Sequence, residues 1–527
     1  MSFASIKKLI RNVSAGRVDL IAATVITVAG IAVYANSVRG GFIWDDEVFV
    51  HYNRYITSWV NLPKIFTEDM GAGGGGYYGF FRPLQMVTYM VDYTLWGLDP
   101  RAYHLLNILL HCLTGIALYF FSKMLFRRRS IAFFAGILFT IHPIQTEAVS
   151  YISGRGDPLV VFFMLLAFIF YLRQLRGSFL NYILMMLCCA LALLSKESSL
   201  ILPVLLLTYH YLFKEKVRLR GLLSIAVLDM VYVAVRRFCC ASVMPSISVE
   251  AMWGRVPGFF VALSSYARLL VAPLGLHMEY VGKRFGFADW RVLAGIGIAA
   301  TLVIVFFRKR NDRLISFSIA WFCCSLAPVS NIYPPLAFFM AEHYLYLPSI
   351  GFFLAGAGGI DLLCREKKYR IFGVGILAFM CGACCLLTIR QNGYWRDQVT
   401  FYTRTLKYAP ESTRMYNNLG NIYLQKGKTA EAVAILKKGA LIDPPDAFLY
   451  NTLGQAYMNN NEPAEAARAF MRAVEINPQL GPAYSNLAFL YYRQQNYGQA
   501  LAWCDNARTA GCQLNPELLE LLKPYRR

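Results

Sequence analysis

The chain has 527 residues, of which 57% are hydrophobic and 16% are charged, and its formal net charge is +21. Soluble globular proteins are about 45–50% apolar and about 25% charged, so this composition excludes an ordinary soluble enzyme and indicates that most of the chain lies in lipid. The Lys and Arg residues stand in short clusters between apolar segments, as the positive-inside rule expects, and we predict no nucleic-acid binding.

Twelve apolar stretches are long enough to form helices across or within a membrane. In chain order they lie near residues 18–38, 104–126, 130–150, 157–173, 179–195, 198–213, 219–235, 257–276, 290–307, 313–331, 343–363 and 371–390. The basic clusters beside them should be cytoplasmic, which predicts a cytoplasmic N-terminus and an exterior location for everything after residue 390.

Three consecutive stretches, 219–235, 257–276 and 290–307, separate two of these cytoplasmic clusters. Three full crossings cannot return the chain to the same side, so one of the three does not span the membrane. The prolines and glycines of 257–276 make it the first candidate, and 219–235 is the other. About eleven spans are therefore expected.

The first exterior loop, residues 39–103, is too long for a simple connector, and long structured loops are usually functional. It contains the run Gly71-Ala72-Gly73-Gly74-Gly75-Gly76, which predicts a flexible hinge or a disordered tip. The flanking pieces are expected to be short amphipathic helices on the membrane surface.

A repeat follows the last apolar stretch. Leu419, Leu453 and Leu487 are spaced by 34 residues and carry similar neighbours at equal offsets. This period is typical of tetratricopeptide repeats, which are paired helices that stack into a solenoid. Full repeats are predicted near 413–446, 447–480 and 481–514, and a degenerate half repeat at 395–410.

These patterns predict an all-α protein with two domains. Residues 1–390 are expected to form a polytopic helical membrane domain with a structured exterior loop, and residues 391–527 an α-solenoid. The partners this organisation implies are the lipid bilayer and a protein that the repeats recruit.

Three adjacent carboxylates, Asp45, Asp46 and Glu47, open the first exterior loop directly beyond the first apolar stretch. A solvated turn is the plain explanation, but neighbouring acids flanked by bulky apolar residues repel one another, and nothing structural there requires them. Carboxylates in such surroundings serve as a general base or hold a cation. We predict that Asp45 or Asp46 is catalytic and that Glu47 supports it, and we leave open whether a divalent cation takes part.

Polar residues within the apolar stretches form a second group. His104, Asn107 and His111 lie on one face of the second stretch at helical spacing, where they either line a cavity or bond to a facing helix. The third stretch ends with His142 and Glu147, which we also assign to the site. Two spaced histidines without a third ligand are weak support for a metal site.

Basic residues on the predicted exterior side form a third group. The positive-inside rule disfavours them there, and a bound lipid phosphate supplies a reason for their presence. They are Arg82, Arg155, Lys196 and Arg236. Arg155 stands close to Asp157, and these two either pair with each other or both line the site.

A last polar pair, Glu342 and His343, opens the eleventh apolar stretch from the exterior side. Glu342 is either an acid favoured by the helix dipole or a site residue.

Several of these segments occur together in one known family. Six patterns resemble the transmembrane-and-tetratricopeptide (TMTC) proteins: W-D-D-E at 44–47, R-P-L at 82–84, Y-H-L-L-N-I-L-L-H at 103–111, H-P-I-Q-T-E-A-V-S-Y-I-S-G-R-G-D at 142–157, S-K-E-S at 195–198 and E-H-Y-L-Y-L-P-S-I-G at 342–351. The resemblance covers nearly the whole chain, in order. It departs at one place, because the family has E-R-Y-L-Y-L-P where this chain carries His343, and this puts His343 in doubt as a phosphate ligand.

The resemblance implies a GT-C fold and similarity to protein O-mannosyltransferases, which move mannose from a polyprenyl phosphate to Ser or Thr hydroxyls on the exterior side. It also implies that the base is Asp45 or Asp46 and that exterior Arg and Lys residues bind the carrier phosphate. We therefore expect an inverting glycosyltransferase with exterior repeats. For its location we favour a bacterial inner membrane with periplasmic repeats, and the endoplasmic reticulum with lumenal repeats is the alternative. A non-enzymatic membrane-anchored scaffold for exported proteins is the alternative, and a transporter is less favoured because the long loops are all exterior.

Overall fold

The computed structural model describes residues 3–240, 248–280, 282, 285–333, 336 and 338–526, with side chains from residue 16 onward. The described part contains helices and turns and no strand, which confirms the predicted all-α class. The chain divides into two compact units, Met1–Asp397 and Gln398–Arg527.

The described residues of the first unit form sixteen α-helices. In chain order they are α1 (Phe3–Tyr34), α2 (Leu62–Ile65), α3 (Pro83–Trp96), α4 (Pro100–Phe126), α5 (Arg129–Ile141), α6 (Thr146–Ser150), α7 (Gly156–Gln174), α8 (Phe179–Ser195), α9 (Leu202–Phe213), α10 (Leu219–Cys239), α11 (Val249–Trp253), α12 (Val256–Val271), α13 (Trp290–Arg308), α14 (Arg313–Leu326), α15 (Ser349–Arg365) and α16 (Arg370–Asn392). Each of the twelve apolar stretches overlaps at least one of these helices, and the stretch 130–150 is divided between α5 and α6. Hydrophobicity therefore located the helices but not the break within that stretch.

Fewer of these helices are long enough to cross a membrane than the sequence suggests. Five qualify by length and composition among the described residues, and a sixth does if α5 and the helical segment after it, which meet at a bend of 54°, count as one span. Three further apolar helices are shorter, at 10–17 residues, whereas a full crossing needs about 20 residues. The chain is an integral membrane protein, but the expected count of eleven spans is not confirmed.

Helix α12 is the segment that the sequence singles out as non-spanning. Its Pro257 lies in the first turn, where proline has no hydrogen bond to break, so the helix continues to Val271. Its 16 residues are about 24 Å long, which is less than the roughly 30 Å of a bilayer core.

Aromatic packing between α4, α7 and α14 holds the first unit together. Phe121, Phe168 and Trp321 are buried, with ring centroids 5.1 to 6.2 Å apart. The indole N–H of Trp321 donates to the carbonyl of Leu347 at 3.0 Å, so its polar atom is satisfied inside the core. This packing fixes helices whose ends carry the site residues.

The glycine run of the first exterior loop is ordered by a neighbouring acid. The carboxylate of Asp69 accepts hydrogen bonds from the backbone N–H groups of Gly71, Tyr78 and Phe80 at 2.8 to 3.2 Å. Gly73 lies against the side chain of Asn53 with no space for a Cβ atom. The expectation of a hinge or disordered tip is therefore wrong, because the glycines permit close packing here rather than motion.

The second unit consists of stacked helix pairs. In chain order its helices are α17 (Gln398–Tyr408), α18 (Thr413–Gln425), α19 (Thr429–Gly439), α20 (Ala447–Asn459), α21 (Pro463–Ile476), α22 (Gly481–Arg493), α23 (Tyr497–Thr509) and α24 (Pro516–Leu522). Gly420 and Gly454 lie directly against Leu436 and Phe470 of the following helices. Small residues at these positions allow the close approach on which the solenoid depends.

Candidate active site

The two aspartates at the beginning of loop 39–103 have different surroundings. Asp46 is fully buried, and its carboxylate accepts hydrogen bonds from the N–H of Ile43 at 3.0 Å and from the N–H and hydroxyl of Ser153 at 2.8 and 2.5 Å. Both carboxylate oxygens are therefore engaged. Asp46 ties the first loop to the turn Ile152–Arg155.

Asp45 is half-buried and lies beside Tyr151, whose hydroxyl accepts the backbone N–H of Asp45 at 3.2 Å. Burial, and then the charges of Asp45 and Asp46, hold the pKa of the Tyr151 hydroxyl well above its ordinary value, so that hydroxyl stays protonated. Trp44, directly before the acids, has a left-handed backbone with φ of 55°. A non-glycine residue in that conformation is uncommon and is often found at functional sites.

Arg155 lies at the centre of a buried polar network. Its guanidinium donates to Asn107 Oδ1 at 2.7 Å, to Thr88 Oγ1 at 3.1 Å and to the carbonyl of Tyr103 at 3.0 Å. Its Nη1 is 2.6 Å from Asp92 Oδ2, and both side chains of this ion pair are 0% exposed. The alternative in which Arg155 pairs with Asp157 is wrong, because Asp92 takes that place.

The polar face of α4 bonds to neighbouring segments. The amide of Asn107 donates to the carbonyls of Val149, Tyr151 and Ile152 at 3.1 to 3.3 Å. The ring of His111 bridges Tyr346 Oη at 2.7 Å and the carbonyl oxygen of Thr140 at 2.9 Å. These two residues follow the helix-bonding alternative rather than the cavity-lining one, and Asn107 shapes the turn that leads to Arg155.

His104 and His142, the other two histidines of the predicted pocket, are also buried. His104 lies on the same face of α4 as Asn107 and His111. His142 stands at the bend after α5, where its Nδ1 accepts the N–H of Ile144 at 3.2 Å. Its ring therefore stabilises the bend.

The basic residues that the sequence analysis assigns to the exterior side gather around two carboxylates. Arg82 forms a two-pronged pair with Glu197, with N···O distances of 3.2 and 2.8 Å, and Lys196 contacts both oxygens of Asp157 at 2.7 and 2.8 Å. Arg236 donates to the carbonyl of Gly79 at 3.2 Å. Although burial opposes it, the charges of Arg82, Lys196 and Arg236 hold the pKa of Glu197 well below its ordinary value. We call the side chains of Arg82, Asp157, Lys196, Glu197 and Arg236 the Arg82 cluster.

The Arg82 cluster and the first-loop acids are connected through a short segment. Asp46 bonds to Ser153, and four residues later Asp157 bonds to Lys196. Gln85, three residues after Arg82, donates to the carbonyl of Ser153 at 2.9 Å. The folded chain thus brings the acidic and basic groups of the sequence prediction to the two ends of one turn.

Glu147 and His343 bond to each other from opposite segments. The carboxylate of Glu147 accepts the backbone N–H of His343 at 2.8 Å and contacts its ring Nδ1 at 2.6 Å. Glu342, which is fully buried, accepts the N–H of His277 at 2.6 Å and the hydroxyl of Tyr280 at 2.8 Å. His343 is thus held by Glu147, and Glu342 acts as an anchor rather than as a helix-dipole acid.

Residues 27–254 match the family described as dolichyl-phosphate-mannose-protein mannosyltransferase, and residues 413–446, 447–480 and 483–514 match tetratricopeptide repeats. The resemblance to the transmembrane-and-tetratricopeptide proteins is confirmed. The matched segment 27–254 contains both first-loop aspartates and the whole Arg82 cluster, whereas Glu342 and His343 lie outside it.

Three relatives show the extent of this similarity. The chain is 26% identical to the protein O-mannosyl-transferase F38B6.6 of Caenorhabditis elegans, with 78% of this chain and 61% of that protein aligned. It is 25% identical to the protein O-mannosyl-transferase TMTC1 of Homo sapiens (78% and 54%) and 24% identical to TMTC4 of Homo sapiens (76% and 64%). The chain thus spans little more than half of the length of these transmembrane-and-tetratricopeptide relatives.

One solved structure, "MamA MSR-1 C2", is 20% identical to this chain and covers 40% of it and 95% of its own length, with a TM-score of 0.20. A TM-score of 0.20 is too low to indicate a shared fold.

Sequence reasoning missed several members of the site. Asp92 was overlooked because it is a single acid within an aromatic helix, and Ser153 and Tyr151 because their roles depend on which loop faces them. Glu197 could have been predicted from the sequence. It directly follows Lys196, a predicted phosphate ligand, and an acid beside such a lysine indicates a charge cluster.

Metal ligation was also left open by the sequence. Among the residues that the structure describes, no group of three or more His, Cys, Asp or Glu side chains is arranged to hold a metal ion. Asp46, whose oxygens face Ile43 and Ser153, does not join its two neighbours in such a group.

The raised pKa of Asp46 predicts how the stability of the protein depends on pH. Burial, only partly offset by hydrogen bonds from Ser153 and Ile43, raises the pKa of Asp46 from 3.8 to about 7. Between these values the folded state binds more protons than the unfolded state, so the contribution of Asp46 to stability should fall as the pH rises from about 4 to about 7. Thermal unfolding across this range should show the decrease in wild type and a flatter profile in Asp46→Asn. Identical profiles for the two proteins would contradict the assignment.

Proposed function

We propose that this chain is a membrane glycosyltransferase that moves a sugar, mannose or another hexose, from a polyprenyl phosphate to a Ser or Thr hydroxyl of a protein on the exterior face. The observation that carries the proposal is that two adjacent aspartates differ, since Asp45 is half-buried and both carboxylate oxygens of Asp46 are hydrogen-bonded. The turn that holds Asp46 leads directly to Asp157 of the Arg82 cluster. The match of residues 27–254 to a mannosyltransferase family supports it.

Asp45 is the general base of this proposal, and Asp46 is a positioning residue. A base must reach the acceptor hydroxyl, and of the two residues Asp46 is fully buried whereas Asp45 is partly exposed. Asp45 takes the hydroxyl proton as the acceptor oxygen forms its bond to the sugar C1, and the C1–O bond to the carrier phosphate breaks. Attack opposite to the leaving phosphate inverts the configuration at C1.

The leaving phosphate gains negative charge in this step, so fixed cations near it stabilise the transition state more than the ground state. Arg236 is the most available cation, because it forms no ion pair in the described part of the chain. Arg82 and Lys196 reach the phosphate by exchanging a carboxylate partner for it. Arg155, enclosed and fully engaged, positions the turn instead of contacting the phosphate, and His343 is held by Glu147.

The direct test is a transfer assay with the purified full chain. Polyprenyl-phosphate mannose and a Ser/Thr-rich acceptor protein are supplied, and labelled sugar on the acceptor is measured with and without chelator. Transfer from the polyprenyl donor, and none from a nucleotide sugar, is the expected result. A folded protein that transfers no hexose would overturn the proposal and favour the scaffold alternative, in which the repeats only recruit partners.

Arg236 and Arg237 are adjacent and offer a matched pair of variants. We expect Arg236→Gln to raise the KM for the polyprenyl-phosphate donor by about tenfold, since a charged hydrogen bond to phosphate is lost. Arg237→Gln removes the same charge from an exposed neighbour and should leave KM within about twofold of wild type, as for a surface charge. Equal effects of the two variants would mean that only overall charge matters.

The proposal also places the repeats outside, where they recruit the acceptor, and the N-terminus in the cytoplasm, with a bacterial inner membrane favoured. Charge placement supports this orientation: the ion pairs of Lys123 and Arg129 with Asp19 lie at the opposite end of α4 from the Arg155 network. A reporter active only outside the cytoplasm should give a signal when fused after Arg527 and none when inserted after Arg310. The reverse pattern would refute the orientation.

A further inference from the structure

A large cavity lies at the other end of the first unit from the candidate active site. Its volume is about 1100 Å³, and the ends of α4, α5, α7, α9, α14 and α15 surround it. The candidate site lies at the beginning of α4 and α7, whereas this cavity lies where the two helices end. Because α4 has 27 residues, about 40 Å separates its two ends. The cavity is therefore a separate feature.

Arginine side chains from three chain segments line this cavity. They are Arg127, Arg128, Arg173, Arg176 and Arg313. The lining carboxylates are Glu215 and Asp312, and Asp312 is committed to capping α14 through the N–H groups of Leu314 and Ile315. The lining therefore carries an excess of positive charge. We call it the arginine cavity.

Few of these guanidinium groups are neutralised within the protein. Arg128 pairs with Asp361 at 3.3 Å, and Arg313 donates to the carbonyl of Phe213 at 3.3 Å. Arg127, Arg173 and Arg176 form no ion pair with any residue that the structure describes. Like charges facing a common space repel one another unless an anion enters it.

Membrane topology explains why basic residues occur at this end of the helices, but it does not explain why their side chains line one cavity. The positive-inside rule requires cations in cytoplasmic loops, and it does not require them to face one cavity. Arg128 and Arg313 stand at the beginning of α5 and α14, where the helix dipole disfavours cations. The N-terminus of α5 also has no side-chain cap, and its first turn lines the same space, so its free N–H groups add to the attraction for an anion.

The remaining wall of the arginine cavity is apolar. It includes Leu125, Phe126, Ile131, Leu172 and Phe213. A cationic rim above an apolar wall at the ends of membrane helices suits an amphiphile with a phosphate headgroup and acyl chains. We propose that the arginine cavity binds a phosphate-bearing anion, and that its occupant is an anionic phospholipid of the adjacent leaflet. This site does not depend on the proposed transferase activity.

Native mass spectrometry of the purified full chain in detergent tests this inference. The probes are dioctanoyl phosphatidylglycerol, dioctanoyl phosphatidylcholine and inorganic pyrophosphate. One phosphatidylglycerol should bind per chain, and phosphatidylcholine should bind at least about tenfold more weakly. The double variant Arg173→Gln/Arg176→Gln should weaken phosphatidylglycerol binding by about tenfold or more. The matched control is Arg308→Gln/Arg310→Gln. It removes two charges that are exposed like Arg173 and Arg176 but lie outside the cavity, at the end of α13 and directly after it, and it should bind as wild type does.

The outcomes separate the possibilities. If phosphatidylcholine binds as tightly, or if both double variants weaken binding equally, the proposal is overturned. If pyrophosphate binds more tightly than phosphatidylglycerol with the same dependence on Arg173 and Arg176, the phosphate site stands and the lipid occupant is rejected. Arg173→Lys/Arg176→Lys keeps the charge and should retain most of the binding. A loss in this variant as large as in the Gln variant would also count against an electrostatic site.

Discussion

Replacing Asp45 by Asn should lower the turnover number of sugar transfer by about a hundredfold to ten-thousandfold, the usual effect of losing a general base. The fold should tolerate the change, because asparagine has the size of aspartate and keeps one accepting oxygen, while Asp46 makes the buried bonds that hold the loop. Transfer is measured from polyprenyl-phosphate mannose at saturating acceptor, beside thermal unfolding of the same preparation.

Asp46 provides the contrast within the same pair. Asp46→Ala leaves the N–H of Ile43 and the N–H and hydroxyl of Ser153 without their acceptor, so a loss of stability of about 1–3 kcal/mol is expected. Asp46→Asn keeps one oxygen to accept from Ser153 and should restore part of the transfer activity, with a larger effect on KM than on kcat, as for a positioning residue.

Asp99→Asn is the matched control for both variants. It removes a carboxylate from the same exterior loop, where Asp99 caps α4 and pairs with the exposed Arg101, and asparagine is an equally good cap. Activity and stability should both remain at the wild-type level. If Asp45→Asn transfers sugar at the wild-type rate, the base lies elsewhere, and Glu147, which the sequence analysis also assigns to the site, is the next residue to replace.

The second large effect is expected at the buried ion pair of Arg155 and Asp92. Arg155→Met removes the charge that compensates Asp92 and leaves Asn107 Oδ1 and the carbonyl of Tyr103 without a donor. Breaking one side of such a pair typically costs about 3–5 kcal/mol, so we expect a strongly lowered unfolding temperature and a poor yield of folded protein.

A double variant and a variant of an exposed ion pair serve as controls for the effect of Arg155→Met. Arg155→Met/Asp92→Leu leaves no uncompensated charge and should recover part of the lost stability. Arg101→Met breaks a pair in which Arg101 is 71% exposed, and it should change the unfolding temperature little. If Arg155→Met unfolds like Arg101→Met, then Arg155 is not part of a buried network, and its role as a phosphate ligand would have to be considered again.

The amino-acid sequence by itself determined the helices and the repeats. The apolar stretches became helical because a long run of apolar residues in lipid must satisfy its backbone internally, and this property is local. The 34-residue spacing of Leu419, Leu453 and Leu487 located the repeats. This signal is also local in sequence, because each repeat packs only on its neighbours. The number of spans did not follow, because a bend or a short helix depends on what packs around it.

Only the tertiary structure decided how the polar residues divide their roles. Asp45 and Asp46 are adjacent and chemically identical, and what distinguishes them is Ser153, which lies 107 residues from Asp46. Arg155 is two residues from Asp157 and yet pairs with Asp92, while Glu147 bonds to His343 across 196 residues. A charged side chain takes the partner that helix packing brings to it, and packing depends on contacts between distant segments that no local pattern encodes.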